Sequence, residues 1–248
     1  MKVPLQDGRV LIVGDCHFPY IDKRAWDLAL ATIEKAKPTH IVQIGDWWDA
    51  QSVSLHPAEF GKRADLTKEL KSARKGWQEL QQAAGRAQLY MTLGNHDSWG
   101  LRYVAKNAPA LEGIIPSFHE LYGMSDDTIV TPYRTELKIG RVVYVHDVGF
   151  CGVNSARQTL AAVNHNVVFG HVHRGTVVYN GDTNGKQRFA MSVGWLGDAK
   201  AITYAPPART REWQHGLGLV EYEKGLAFSQ FLPFVSGCTM LYGRKVTV

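Results

Sequence analysis

Cysteine is scarce in this chain, three in 248 residues, and Cys16, Cys151 and Cys238 form neither a metal-knuckle spacing nor an even framework. That excludes a disulfide scaffold and a cysteine-held zinc, and it points to a reduced, cytoplasmic protein. No apolar run approaches the roughly 18–20 residues a membrane helix requires, so no membrane role is expected. The stretch Met1-Lys2-Val3-Pro4-Leu5-Gln6-Asp7-Gly8 lacks the hydrophobic core of an export signal. Linkers, repeats and low-complexity segments are also missing, so residues 1–248 read as a single domain. Excess charge is modest: the net formal charge is +5 and the pI is near 9.0. Such a balance favours acidic partners, nucleotides and nucleic acid among them. Part of it sits in residues 62–75, where Lys62, Arg63, Lys68, Lys71, Arg74 and Lys75 outnumber Asp65 and Glu69. A solvated helix face is the plainer reading of that run.

What the chain does have is alternation. Val10-Leu11-Ile12-Val13 is a continuous β-branched run of the kind found in strands buried on both faces. Residues 22–37 then carry Trp26, Ala29, Leu30, Ile33 and Ala36 at helical spacing, with Asp22 placed to cap and Pro38 to stop the helix. Ile41 to Ile44 is the next strand, which makes a βαβ unit and a parallel sheet. Leu66, Leu70, Ala73, Trp77, Leu80 and Ala84 trace one stripe of a long helix ending near Gly85, and 88–93 is a third strand. The later sequence changes character. Strands are expected at 142–145, 167–169, 176–179, 188–193, 217–222 and 226–232, interrupted by one helix at about 155–163. Hairpin turns are expected at Asn180-Gly181-Asp182 and Glu223-Lys224-Gly225.

Five short segments punctuate this alternation: Gly14-Asp15-Cys16-His17, Gly45-Asp46-Trp47-Trp48-Asp49, Gly94-Asn95-His96-Asp97, Val145-His146-Asp147 and Gly170-His171-Val172-His173. Each follows a hydrophobic run. Carboxylate, amide and imidazole donors delivered from several strand ends to one sheet edge are what a two-metal hydrolytic site needs. An isolated Gly-Asp pair is usually only a turn, and lone histidines such as His40, His56, His119, His165 and His215 read as surface or satisfied groups. Seven donors in five such segments are another matter, because leaving them unpaired in a core would be costly.

The series resembles the calcineurin-like metallophosphoesterases, in the family's motif order from residue 14 to 173, and is most similar to small bacterial and phage-type members. That resemblance implies an α/β fold, a four-layer α-β-β-α sandwich of two packed mixed sheets with the metal site at strand ends. It implies two divalent metal ions. Asp15, His17, Asp46 and His173 would hold the first, and Asp46 would bridge to the second, held also by Asn95, His146 and His171. The mixed oxygen and imidazole shell suits manganese first, with iron, zinc or nickel as alternatives. In the family's mechanism a water shared by the metals attacks phosphorus in line. His96 would serve as general acid, with Asp97 fixing its tautomer, while Asp49 would orient a ligand from behind.

Substrate contacts are expected in the loops. Trp47, Trp48 and Trp99, beside the motifs, could stack a nucleobase, and Arg174, Lys62, Arg63, Arg209 and Arg211 could meet phosphate. Ala50-Gln51 stands where phosphoprotein phosphatases of the superfamily carry Arg-Gly, and Asp147 stands where many relatives have glycine. The leading expectation is a phosphodiesterase or nuclease acting on a nucleotide or nucleic-acid phosphate. A phosphomonoesterase is the alternative within enzymes, and a non-catalytic scaffold the alternative outside them.

Overall fold

A computed structural model describes residues 1–54, 64–181, 185–202 and 205–248. Its strands are β1 (Lys2–Val3), β2 (Gly8–Val13), β3 (His40–Gln43), β4 (Gln88–Thr92), β5 (Ile129–Thr131), β6 (Leu137–Ile139), β7 (Val142–Val145), β8 (Asn166–Phe169), β9 (Gly175–Gly181), β10 (Gln187–Val193), β11 (Gly216–Glu223), β12 (Leu226–Pro233), β13 (Cys238–Leu241) and β14 (Arg244–Thr247). The helices are α1 (Lys23–Ala36), α2 (Leu66–Ala84), α3 (Asp97–Asn107), α4 (Phe118–Tyr122), α5 (Ser155–Val163) and α6 (Pro207–Thr210).

Two six-stranded mixed sheets result. One has the order β12-β11-β2-β3-β4-β5, and the other β1-β6-β7-β8-β10-β9. In the first, β2, β3, β4 and β5 run parallel, while β11 returns antiparallel to β2. In the second, β7 and β8 are parallel, as are β8 and β10. Strand alternation sorts the core into layers. Val10, Ile12, Val42 and Ile44 face Val142, Tyr144, Val168, Met191 and Val193 between the sheets. Leu11, Val13 and Ile41 turn the other way, onto Trp26, Ile33, Trp77 and Leu80 of α1 and α2. On the far side Val143, Val145 and Val167 pack on Ala156 and Leu160 of α5. The expected α-β-β-α sandwich is therefore present. Tyr222, from the first sheet, donates to the Ile139 carbonyl (2.8 Å) and lies 3.2 Å from the Tyr144 hydroxyl in the second. A buried polar tie of that kind fixes how the sheets register on one another.

The helix ends follow the local chemistry. Asp22 accepts from the Ala25 amide (2.9 Å), Asp65 from Thr67 and Lys68, and α2 stops at Gly85, whose φ of +61° suits a residue without Cβ. Lys68, Arg74 and Lys75 lie exposed on α2, the solvated face expected, whereas Lys62, Arg63 and His56 lie outside the described residues. The turn at 223–225 is a two-residue hairpin, with positive φ at Lys224 and Gly225 and Glu223 paired to Leu226. The turn expected at 180–182 falls partly outside the described residues, although β9 and β10 pair as its arms. Short strands β1, β5 and β6 and the β13-β14 hairpin carry too few apolar positions to be anticipated. Among the described residues no helix is long and apolar enough to cross a membrane.

Candidate metal centre and its mouth

Each motif leaves the C-terminal end of a parallel strand. Asp15 and His17 follow β2, Asp46 follows β3, Asn95 follows β4, His146 follows β7, and His171 and His173 follow β8. Because β2, β3 and β4 lie side by side and face β7 and β8 across the inter-sheet core, all seven side chains converge. The turns needed are tight: Asp15, His17, Asp46, His171 and His173 all hold φ between +49° and +68°. Non-glycine residues rarely adopt that region, and such strain collects at functional sites. Backbone hydrogen bonds enforce it. The Asp15 amide donates to the Gly45 carbonyl (3.1 Å), and the His17 amide to the Asp46 carbonyl (2.9 Å).

The motif glycines give these groups room. A Cβ on Gly45 would sit 2.4 Å from His146 Nδ1, one on Gly94 2.1 Å from Asp46 Oδ1, and one on Gly170 2.6 Å from Asp15 Oδ2. Each glycine therefore makes space for a donor belonging to a different motif.

The donors sort into two groups, Asp15/His17/His173 and Asp46/His146/His171, linked by a third, His17/Asp46/His96, that shares one member with each; ligand atoms inside each group lie within 4.8 Å of one another. His173 Nε2 lies 3.2 Å from Asp15 Oδ1 and 3.2 Å from His17 Nε2. His146 Nε2 lies 3.3 Å from Asp46 Oδ2 and 3.1 Å from Asn95 Oδ1. Asp46 Oδ2 is also 3.9 Å from His17 Nε2, so one carboxylate faces both groups.

The rings are held from behind. His17 Nδ1 meets Asp49 Oδ1 at 2.9 Å and His146 Nδ1 the Ile44 carbonyl at 2.8 Å. Those oxygens accept, so each Nδ1 carries a proton and each Nε2 faces the centre, where it offers a lone pair once any second proton has left. That is the tautomer a metal ligand needs, and the buried donor set fits a pair of divalent cations. Asp49 thus orients the His17 ring.

Without a cation the cluster balances its own charge. Burial opposes ionisation of His146, but the Asp46 carboxylate outweighs it and pushes the imidazole up to about 10. Asp46 is held well below the usual carboxylate range, since His146, His96 and His17 overcome the cost of its burial. His173 is pushed down to about 4, chiefly by burial, against the pull of Asp15. His171, the most accessible imidazole, is also lowered by burial and by His146.

His96 is buried beside the donors. Its Nδ1 meets the Asp49 carbonyl oxygen at 2.7 Å, its amide donates to Asp46 Oδ1 (2.9 Å), and its Nε2 lies 4.0 Å from Asp46 Oδ2. The role expected of Asp97 needs correcting. Its carboxylate accepts from the amides of Gly94 (2.9 Å), Trp48 (3.2 Å) and Trp47 (3.5 Å), so it ties the second motif to the third. The Asp49 carbonyl does the orienting of His96 instead. Burial and the neighbouring Asp46 charge raise the Asp97 carboxyl to about 6.

Three of the expected substrate contacts are engaged elsewhere in the fold. Trp47 is fully buried against Phe18, Trp26 and Trp77, with its indole N–H on the Ala73 carbonyl, so it is core. Trp48 is buried likewise and donates to Glu69. Arg174 is engaged by the Glu212 carboxylate. Trp99 does stay at the site, partly buried and stacked on His96 with centroids 3.9 Å apart.

The structure adds contacts that motif reading did not supply. Trp195 stacks on His173 (5.0 Å, 9°), and Trp213 meets the same ring edge-on at 4.2 Å. Asp147 accepts from Arg134 (3.2 Å) and the Gly149 amide (2.8 Å), with Tyr133 6.2 Å from the His146 ring. Asn95 and His171 are the two donor residues that are not fully buried, so the centre opens on their side.

The profile of the calcineurin-like phosphoesterases matches residues 8–218, a span that contains every donor described. The chain belongs to that family. A calcineurin-like phosphoesterase is a metal-dependent phosphoric ester hydrolase, and this one carries the buried donor set such chemistry requires. Among curated proteins it is similar to the Gene 54 protein of Mycobacterium phage L5, 26% identical over 257 residues, covering 95% of this chain and 97% of that protein. The Gene 54 protein of Mycobacterium phage D29 is 25% identical over 244 residues, covering 92% and 94%. Among solved structures, a single-mutant Vps29 from Entamoeba histolytica superposes with a TM-score of 0.52 at 11% identity, covering 96% of this chain and 98% of that one, which is a likeness of fold.

Proposed function

We propose that this calcineurin-like phosphoesterase is a phosphodiesterase acting on a nucleotide or nucleic-acid phosphate with two divalent cations, manganese first. The observation that carries the catalytic reading is the convergence of seven donors, with His17 and His146 held through Nδ1 so that Nε2 faces inward. Asp15, His17, Asp46 and His173 would hold one cation, and Asp46, Asn95, His146 and His171 the other; two divalent cations held there would supply charge neutralisation at the phosphoryl oxygens and a water of lowered pKa.

The remaining steps belong to the chain. His96, fixed through Nδ1 on the Asp49 carbonyl, keeps Nε2 toward the reacting phosphate and hands a proton to the departing oxygen. Asp97 holds the loop that carries it by accepting from Gly94 and Trp48. Trp99, stacked on His96, sets an aromatic face at the mouth, where a nucleobase can stack. The net charge of +5 and Ala50-Gln51 in place of an Arg-Gly clamp favour a nucleotide phosphate over a phosphoprotein.

The test is turnover of bis-p-nitrophenyl phosphate and p-nitrophenyl phosphate with each divalent metal, and its abolition by chelator. Faster hydrolysis of the diester is expected, and a monoester preference would replace the diesterase reading. No turnover with any metal would remove the catalytic one. His96→Ala should keep its manganese and lose rate, most with poor leaving groups. Equal rates on such esters would overturn the proton-donor role.

A further inference from the structure

Three residues outside the motifs gather where the centre opens. Arg102 lies on α3 three residues beyond Trp99, hence on the same side of that helix. Its guanidinium carbon sits 5.5 Å from the Tyr133 ring centre, and that of Arg134 sits 5.1 Å from the same ring. Tyr133 in turn lies 6.2 Å from the His146 ring, which also neighbours the half-buried His171 at 5.3 Å. Arg134 is held there against its backbone preference, with φ at +60°, by its ion pair to the buried Asp147.

Charge in the cluster does not cancel. Asp147 answers one guanidinium, while Arg102 has no ion pair among the described residues, and both arginines are exposed. Both guanidinium carbons lie within about 6 Å of one ring centre, and a phosphate bound beside that ring finds N–H forks on both residues to meet its oxygens. The place fits a group beyond the one being cleaved, since the reacting phosphate belongs at the buried donors and this cluster lies outside them. We propose that Arg102 and Arg134, seated on Tyr133, form a subsite for a second phosphate of the substrate, adjoining the scissile one. The proposal rests on the phosphoesterase reading and specifies the substrate class. It takes molecules with at least two linked phosphates, either along a nucleic-acid strand or in a nucleoside polyphosphate.

Competition against bis-p-nitrophenyl phosphate hydrolysis tests it in the manganese-loaded protein. The probes are thymidine 5′-monophosphate, thymidine 5′-diphosphate and the dinucleotide pTpT. At least one two-phosphate probe should inhibit about tenfold more tightly than the monophosphate, the gain expected from one charge-assisted contact. Whichever probe shows the gain identifies its source as polyphosphate or strand. Arg102→Gln and Arg134→Gln should each erase most of that gain, and the salt dependence of inhibition should fall by about one unit of log–log slope. Arg102→Gln leaves the Asp147 pair intact, so its effect is free of any disturbance beside His146.

Equal inhibition by all three probes in the unmodified protein would overturn the subsite. So would a gain that survives in Arg102→Gln with the fold intact by circular dichroism. Absence of hydrolysis in the unmodified protein is a different failure, and it would strike the catalytic reading alone.

Discussion

Gly94 is where the second and third donor segments touch, and replacing it with alanine isolates what their closeness is worth. The new Cβ would lie 2.1 Å from Asp46 Oδ1 and 2.4 Å from the Asp46 backbone nitrogen. Contacts under 3.0 Å essentially never occur, so the methyl group intrudes by about 0.9 Å on the one carboxylate that faces both donor groups. Retreat is blocked. Gly45, the residue before Asp46, is itself packed against the Gly94 Cα and the His146 ring. Overpacking of this kind costs about 1–3 kcal/mol, and a displacement near 1 Å in a reacting site costs about 10²-fold in rate. Gly94→Ala should therefore melt roughly 2–12 °C lower and lose about two orders of magnitude in kcat/KM, with weakened manganese retention. Manganese competition against a chelating dye, steady-state kinetics and a melting curve read the three effects. Gly113→Ala is the control, because nothing lies within 4 Å of its Cβ and its stability should change by less than about 0.5 kcal/mol. If Gly94→Ala kept both affinity and kcat/KM within about threefold, less than 1 kcal/mol, the account of Asp46 as the shared donor would be refuted.

Trp47→Ala should cost about 3–5 kcal/mol, as removal of a buried indole does, and should lower the melting midpoint by roughly 6–20 °C. A raised KM for nucleotides with an unchanged midpoint would return Trp47 to the substrate. Metal loading should also be coupled to protons. In the metal-free protein the Asp46 charge outweighs burial and keeps His146 protonated up to about pH 10, so a cation at Nε2 must displace that proton. Loading with manganese at pH 8 in weak buffer should release about one proton, and apparent affinity should strengthen by about tenfold per pH unit between roughly 6.5 and 10. The same shift gives the metal-free protein a stabilisation that is complete below the ordinary histidine value and lost as pH climbs through about 10. A loading reaction that released no proton at pH 8 would show His146 already neutral.

The parts of this site that were legible in the sequence share one property: local chemistry dictated them. A β-branched run ending in glycine and a polar donor is readable because the strand must stop and turn there. The glycine was a stronger signal than a turn alone requires, since Gly45, Gly94 and Gly170 each leave room for a donor from another segment. Proximity in space was thus written into five short stretches of chain. What escaped was whatever depends on which side of a turn a residue falls. Trp47 and Asp46 are neighbours in sequence, yet the left-handed turn at Asp46 sends its carboxylate to the centre and the next indole into the helical layer. Asp49 was expected to orient a metal ligand and Asp97 to fix the tautomer of His96. Asp97 opens α3 and is taken up by the amides of the facing loop, which leaves that task for His96 to a carbonyl, an acceptor every residue possesses.

Specificity was the least legible because it has no local grammar. Arg102 and Arg134 are ordinary surface arginines in sequence, 32 positions apart, and they become a pair only because α3 and the loop after β5 meet over one tyrosine. The metal-binding donors must answer to a fixed coordination chemistry and so repeat a recognisable spelling. Groups that bind a second phosphate need only present positive charge at the right distance, from any element that reaches the mouth. A family can therefore keep its reaction while changing what it accepts, and in this chain that difference would reside in residues no catalytic motif contains.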